Sequence, residues 1–174
     1  MIQAFSPREF TLIDKALEIS EDASCNYYHI SASNWKKYGF EISHLAQLSR
    51  EEITDQCLAQ ISRYIRVPEH RLPGDFPRDY YRVCLQDHNI LQVVEREKRV
   101  ELFPLLIYIL THELVHIIRF RKFQQRFDVG PEEKEIEEQK VHQATFNILK
   151  PIRKINLEPV LDSYVGHRCP MYSC

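Results

Sequence analysis

Apolar residues recur at helical spacing in the first third of this chain. Residues 6–9 read Ser-Pro-Arg-Glu, a typical helix N-terminus with serine as the cap, proline at the first position and glutamate at the third. The apolar stripe that follows consists of Phe10, Ile13, Ala16 and Leu17. A second capping box, residues 49–52, precedes another stripe formed by Ile53, Cys57, Ile61 and Ile65. The pattern therefore predicts two helices, beginning near residues 7 and 50.

The middle of the chain instead alternates between apolar and polar positions. Residues 81–85 alternate in this way and so do residues 90–97, which is the period of a half-buried strand. Residues 87–89, Asp-His-Asn, lie between the two runs and are typical of a turn. The sequence therefore predicts a β-hairpin over residues 81–97.

The second half of the chain is dominated by helical patterns. A helix is predicted from residue 105 to about residue 123, and its start is apolar nearly all round, which indicates burial. Pro131 followed by two glutamates opens the next helix, which runs to about residue 149. A short helix follows near residues 158–164. The expected fold is a mainly helical α+β single domain over residues 1–166 with a small antiparallel sheet or hairpin, followed by a cysteine-containing tail, residues 167–174.

Composition narrows the class of protein. The chain has 174 residues, 44% of them hydrophobic, and a net charge of −2, so it has enough apolar residues for a core and lacks the basic excess of a general nucleic-acid binder. No signal-peptide pattern and no run of 18 apolar residues is present, which predicts a cytoplasmic protein without a membrane span. The five cysteines are widely spaced, and Cys57 and Cys84 are predicted to be reduced, buried thiols.

The most informative motif lies inside the apolar helix, where residues 111–116 read Thr-His-Glu-Leu-Val-His. His112 and His116 are four residues apart, so both imidazoles lie on one helix face and can reach one ion at about 2.0–2.1 Å. Glu113 is rotated by about 100° from His112, so it lies beside that ion without having to bind it. Burying three ionisable groups in an apolar helix is costly unless something pairs them, and a metal ion would do so.

This motif resembles that of the zincin metallopeptidases. The resemblance covers residues 106–118 and, more loosely, the helix after Pro131, but not the first 80 residues. It implies one Zn²⁺ as the cofactor and a peptide or protein as the substrate, hydrolysed by metal-bound water that Glu113 activates. It also implies an antiparallel edge strand that aligns the substrate, for which the predicted hairpin at residues 81–97 is the candidate.

The third metal ligand is expected on the helix after Pro131. Lys122 occupies the position of the third histidine in the long zincin pattern, whereas the gluzincin class takes a glutamate from the following helix. Glu138 is the leading candidate, because it lies in line with the apolar stripe of Val141, Thr145, Ile148 and Ile152. His142 comes opposite His116 if the motif helix continues to residue 127, and Glu135 is a further alternative if that helix stops near residue 119. His142 could otherwise support a ligand or steady an oxyanion.

Other functions remain open at the level of sequence. A di-iron redox protein would also use the pair Glu113 and His116, but Gln139 stands where its second glutamate is required, three residues before His142. A non-catalytic metal-binding protein would not need Glu113.

The basic residues Arg119, Arg121, Lys122 and Arg126 are expected to be a solvated helix face. His167, Cys169 or Cys174 in the tail could reach the metal and gate the site, although a frayed terminus is the simpler expectation.

Overall fold

A computed structural model describes residues 2–67 and 78–164 of the chain. Within these residues, the helices are α1 (Pro7–Tyr28), α2 (Ala32–Trp35), α3 (Asp87–Arg96), α4 (Leu102–Arg121), α5 (Pro131–Leu149) and α6 (Glu158–Tyr164). The strands are β1 (Phe40–Ser43), β2 (Ala59–Arg66) and β3 (Arg78–Leu85), and two 3₁₀ turns span Leu45–Gln47 and Arg50–Glu52. The protein is a mainly helical α+β single domain with a small sheet, as the sequence predicts.

Helix α4 is the centre of this fold. It contacts α1, α3, α5, α6 and β2, and every residue from Pro104 to Ile118 is buried. Its near-continuous apolar run explains this position, because a helix that is apolar on all sides needs neighbours on all sides. The helix is long and apolar enough to cross a membrane, but 83% of its most apolar window is buried inside the protein, as in a core helix. The length, place and burial predicted for the motif helix are therefore close to those observed.

The sheet is mixed, not antiparallel as expected. Its order is β1-β3-β2, with β1 parallel to the central strand β3 and β2 antiparallel to it. The segment at residues 81–85 is a strand as predicted, but its antiparallel partner precedes it in the chain. Strand β2 therefore lies at one edge of the three described strands, next to α4.

The helix predicted to begin near residue 50 does not form. The capping box at Ser49 and Glu52 is present, but it closes only a single 3₁₀ turn. The chain then enters β2, where Ile61 pairs with Val83 of β3 and Ile65 is 67% exposed. Pairing with β3 and the β-branched residues of this segment outweigh the local helical spacing. The prediction was wrong because the apolar stripe does not form one buried face.

Residues 87–96 form α3 where the sequence predicted a turn and a second strand. The turn-like residues are buried and bind the preceding loops instead of solvent. Asp87 accepts hydrogen bonds from the backbone N–H groups of Phe5 and Leu45, and the Asn89 amide donates to the carbonyl oxygens of Thr54 and Cys57. The predicted hairpin at residues 81–97 is therefore a strand followed by a helix.

The predicted state of the cysteines is half right. Cys84 is a free, buried thiol, and burial is the main cause that raises its pKa to about 12. Cys57 is also buried but is disulfide-bonded, so the prediction of a reduced thiol there was wrong. Spacing along a sequence cannot show which sulfur atoms the fold brings together.

A tight turn ends α4 and begins the connection to α5. The backbone N–H of Gln124 donates to the carbonyl of Arg119 at 2.9 Å, and that of Phe123 to Phe120 at 3.1 Å, which together form a Schellman turn. Phe123 occupies the left-handed position of this turn with φ of 54° and is 95% exposed. The helix therefore stops at Arg121 and does not continue to residue 127.

Glu52 fixes the approach of the chain to β2. Its carboxylate accepts hydrogen bonds from the backbone N–H of Ser49 at 2.9 Å and from the Tyr64 hydroxyl at 2.7 Å, and it lies 3.4 Å from the Arg82 guanidinium. The bond from Ser49 is the largest contribution to a pKa of Glu52 that is lowered to about 2, in spite of burial. The ionised side chain therefore ties the 3₁₀ turn to the sheet.

We predict that Glu52→Gln lowers the free energy of unfolding at neutral pH by about 1–3 kcal/mol. Because the folded pKa lies below the ordinary value of 4.5, this stabilisation is complete above about pH 4.5 and is lost as the pH falls towards 2. Urea unfolding of both proteins over this range should show the difference between them shrinking with acidification. Exposed Glu51→Gln is the matched control, and a pH-independent difference for Glu52→Gln would contradict the account.

Candidate metal centre

Two helices bring three ligand-type side chains together. His112 and His116 lie one turn apart on α4, and Glu138 lies on α5, which packs against it. The two Nε2 atoms are 3.2 Å apart. Glu138 Oε1 is 3.1 Å from Nε2 of His116, and Oε2 is 3.3 Å from Nε2 of His112. One ligand atom from each residue lies within 4.8 Å of the other two, so the group could hold a metal ion.

Burial makes this arrangement costly without a cation. His112 is 2% exposed, and His116 and Glu138 are each 6% exposed. Glu138 Oε2, which faces His112, has no hydrogen-bond partner within the described residues. Buried polar atoms are nearly always satisfied, and two imidazole nitrogens with a carboxylate oxygen form a common metal-donor set. The donors present therefore fit a bound cation.

Gln125 orients the second histidine. Its Oε1 lies 3.1 Å from Nδ1 of His116 and can only accept a hydrogen bond, so Nδ1 of His116 must donate. In the neutral ring this leaves the lone pair on Nε2, which points into the space shared with His112 and Glu138. Gln125 lies just after the Schellman turn, so the end of α4 places it beside its own helix. The sequence analysis missed this residue, because nothing in its local pattern marks a loop glutamine as a partner of His116.

The close contacts among His112, His116 and Glu138 shift the pKa values of His116 and Glu138. Burial raises the pKa of Glu138, but the close contacts with His112 and His116 outweigh burial and hold that pKa well below its usual range. Burial lowers the pKa of His116, and the hydrogen bond and charge of Glu138 reverse this and raise it. Burial is also the main cause that raises the pKa of Glu113. Glu138 is thus kept ionised, as a metal ligand must be.

Glu113 faces an open pocket beside the three ligand-type residues. The pocket has a volume of about 350 Å³ and is lined by Ala59, Gln60, Ile61, His112, Glu113, His116, Phe120, Gln125, Phe127, Asp128, Val129, Lys134 and Glu138. The Glu113 carboxylate makes no hydrogen bond with any described residue, although the side chain is only 7% exposed. The start of β2 forms one wall. A small molecule in this pocket would therefore touch Glu113, the histidines and an edge strand together.

An aromatic wall closes the side of the pocket near the end of α4. The Phe120 ring is stacked on His116 with centroids 6.0 Å apart, and Phe127 packs on Phe120 at 5.3 Å. The Arg63 guanidinium lies 4.9 Å from the centre of the Phe127 ring and pairs with Asp128 at 2.8 Å. The pocket therefore has an apolar side and a charged rim.

The alternatives for the third ligand lie elsewhere. Nδ1 of His142 is 2.8 Å from the Tyr108 hydroxyl, and its ring packs on His112 with centroids 4.5 Å apart, so it supports the group without joining it. Glu135 is exposed, and so is Gln139, at the place where a di-iron site would need a glutamate. The tail residues proposed to gate the site, residues 167–174, lie outside the described residues.

Glu137, the residue before Glu138, anchors this turn of α5. Glu137 accepts hydrogen bonds from Arg119 at 2.5 Å and from Lys140 at 2.6 Å. Arg121 also donates a hydrogen bond to the carbonyl oxygen of Asp79. Two of the basic residues at the end of α4 are therefore paired within the protein. These contacts hold the end of α4 and the start of α5 together around His112, His116 and Glu138.

No protein-family model, curated protein or solved structure matches this chain. The resemblance to the zincin metallopeptidases therefore stays an expectation from the sequence motif at residues 111–116. A function for the pocket has to be argued from its chemistry.

We predict that Gln125→Ala lowers the affinity of the site for a divalent metal ion, with Zn²⁺ as the probe, by about 10- to 100-fold, because His116 loses the acceptor that fixes its tautomer and ring orientation. Competition titration with a zinc-binding dye measures the change. Gln124→Ala, the exposed neighbour in the same turn, is the control and should leave the affinity unaltered. Equal affinities of the Gln125 variant and the unaltered protein would show that this hydrogen bond does not orient a ligand.

Proposed function

We propose that this protein is a zinc-dependent metallopeptidase of a gluzincin-like kind. The observation that carries the proposal is the convergence of His112, His116 and Glu138 beside Glu113, in a pocket open to a small molecule. A purely structural zinc site is usually closed by four protein ligands, whereas a catalytic site has three and leaves a position for substrate. Three donors and an adjacent carboxylate fit the second pattern.

The donor set favours zinc among the common metals. Two imidazoles and one carboxylate suit zinc, while calcium and magnesium prefer oxygen ligands alone. A non-haem iron centre can use the same three ligand types, so metal analysis of the protein as purified has to separate these two metals. A zinc ion held here would polarise a peptide carbonyl and make water acidic enough to lose a proton near neutral pH.

Glu113 is the group that would move protons. As a water molecule attacks the peptide carbonyl carbon, the Glu113 carboxylate accepts one of its protons. The protonated Glu113 then donates to the leaving amine nitrogen as the carbon–nitrogen bond breaks. One peptide bond and one water become a carboxylic acid and an amine, which ionise in water to a carboxylate and an ammonium, and Glu113 returns to its starting state. Its position next to His112 and inside the pocket is what this role requires.

The edge strand β2 offers a way to hold a peptide. Ala59, Gln60 and Ile61 line the pocket, and β2 pairs with β3 on only one side within the described sheet. An extended peptide can add to such an edge through backbone hydrogen bonds. This role was expected for the segment at residues 81–97, but β3 is the central strand of the sheet.

The cytoplasmic location stays a prediction, and a disulfide at Cys57 is uncommon in a reducing compartment.

We predict that Glu113→Gln binds Zn²⁺ with the stoichiometry of the unaltered protein and loses peptide hydrolysis by at least about 10²- to 10⁴-fold. The amide keeps the shape of the side chain but cannot accept the proton. Metal content is measured by mass spectrometry, and hydrolysis by a quenched fluorescent peptide library. Glu135→Gln, which changes an exposed glutamate on α5, should leave both properties intact.

Two results would contradict the proposal. Hydrolysis that survives in Glu113→Gln would remove this residue from the mechanism. A metal-loaded, unaltered protein that cleaves no member of the peptide library would count against a peptidase and favour a metal-binding protein without catalysis.

A further inference from the structure

We infer that Lys134 selects a carboxylate group on the molecule that this pocket binds. The inference rests on the proposed function, because it assigns the substrate class of the same site. Lys134 is half-buried on α5 and lines the pocket together with Glu113 and the three ligand-type residues. It lies four residues before Glu138, and residues at this spacing share a helix face about one turn apart.

The ammonium of Lys134 has no partner among the residues that the structure describes: neither a hydrogen bond from it nor an ion pair with it is present. Three other cations near the pocket or at the α4–α5 contact are compensated. Arg63 pairs with Asp128 at 2.8 Å, and Arg119 and Lys140 both bind Glu137. Lys134 is therefore the cation lining this pocket whose charge the described fold leaves uncompensated.

The charge balance of a loaded pocket favours an anion. A divalent cation would offset the two negative charges of Glu138 and Glu113, and Arg63 already offsets Asp128. The positive charge of Lys134 is then left over. In a half-enclosed pocket such a charge attracts an opposite one more strongly than it would in bulk water.

A carboxylate is the anion that a peptide can supply. It comes either from the C-terminus of the substrate or from the side chain of an aspartate or glutamate residue. Phe120, Phe127 and Val129 give the pocket an apolar side on which the aliphatic part of either group can pack. Both sources present the same chemistry to Lys134, so probes that differ only in the position of the carboxylate separate them.

The test uses succinyl hydroxamates, whose hydroxamate binds zinc whatever peptide the protein prefers. Four are compared, coupled to alanine, alanine amide, glutamate amide and glutamine amide. The first pair differs only in a terminal carboxylate and the second only in a side-chain carboxylate. Dissociation constants are measured by calorimetry with the zinc-loaded protein, with Lys134→Met and with Lys15→Met, a matched change at an exposed lysine of α1. Circular dichroism and zinc content establish that each variant is folded and loaded.

We expect the charged member of one pair to bind the unaltered protein and Lys15→Met at least about tenfold more tightly than its neutral partner, a difference of about 1.4 kcal/mol. Lys134→Met should bind the two members equally while keeping its affinity for the neutral one. The pair that shows the preference identifies the source of the carboxylate. No preference in either pair, or one that survives in Lys134→Met, overturns the inference. A failure of all four probes to bind the zinc-loaded protein would instead contradict a zinc ion open to substrate, which the proposed function requires, and would overturn the inference with it.

Discussion

The structure depends on one constraint: two imidazoles and a carboxylate are buried against one another between α4 and α5. Their facing atoms lie 3.1–3.3 Å apart, so each side chain removes water from the others. Burial of this kind is unfavourable unless the groups are paired, and a shared metal ion satisfies all three at once. The apolar sequence of α4 makes the constraint stronger, because the helix can only be stable inside the protein.

The surroundings of the group are arranged to hold it in place. The Schellman turn after α4 returns the chain so that Gln125 reaches His116, and the contact of Arg119 with Glu137 ties α5 to α4 one residue before Glu138. Glu52 secures β2, because it accepts hydrogen bonds from the Gln60 amide and the Tyr64 hydroxyl, and the first residues of this strand line the pocket. Nine of the thirteen lining residues thus come from β2, α4 and α5, and a site on such elements positions a substrate better than one built on loops alone.

The features predictable from the sequence are those set by dense local patterns. The motif helix, the helix from Pro131 to Leu149 and the inward direction of Glu138 follow from apolar spacing and helix-start residues. Residues 50–66 and 87–96 were misassigned, because their local patterns fit either state and long-range contacts through Glu52, Asp87 and Asn89 decide between them. Gln125 and Lys134 could not be identified as site residues, since one lies in a loop and the other among many charged residues of a helix.

X-ray absorption spectroscopy at the zinc edge, on the purified protein, tests the metal centre most directly. The account predicts one zinc per chain, with scattering from two imidazoles at about 2.0–2.1 Å and from oxygen at about 2.0–2.2 Å, and without sulfur at about 2.3 Å. In the Glu138→Gln variant the zinc should be lost or bound much more weakly. A sulfur ligand, two metal ions per chain, or a spectrum and metal content unchanged by this substitution would contradict a site made of His112, His116 and Glu138.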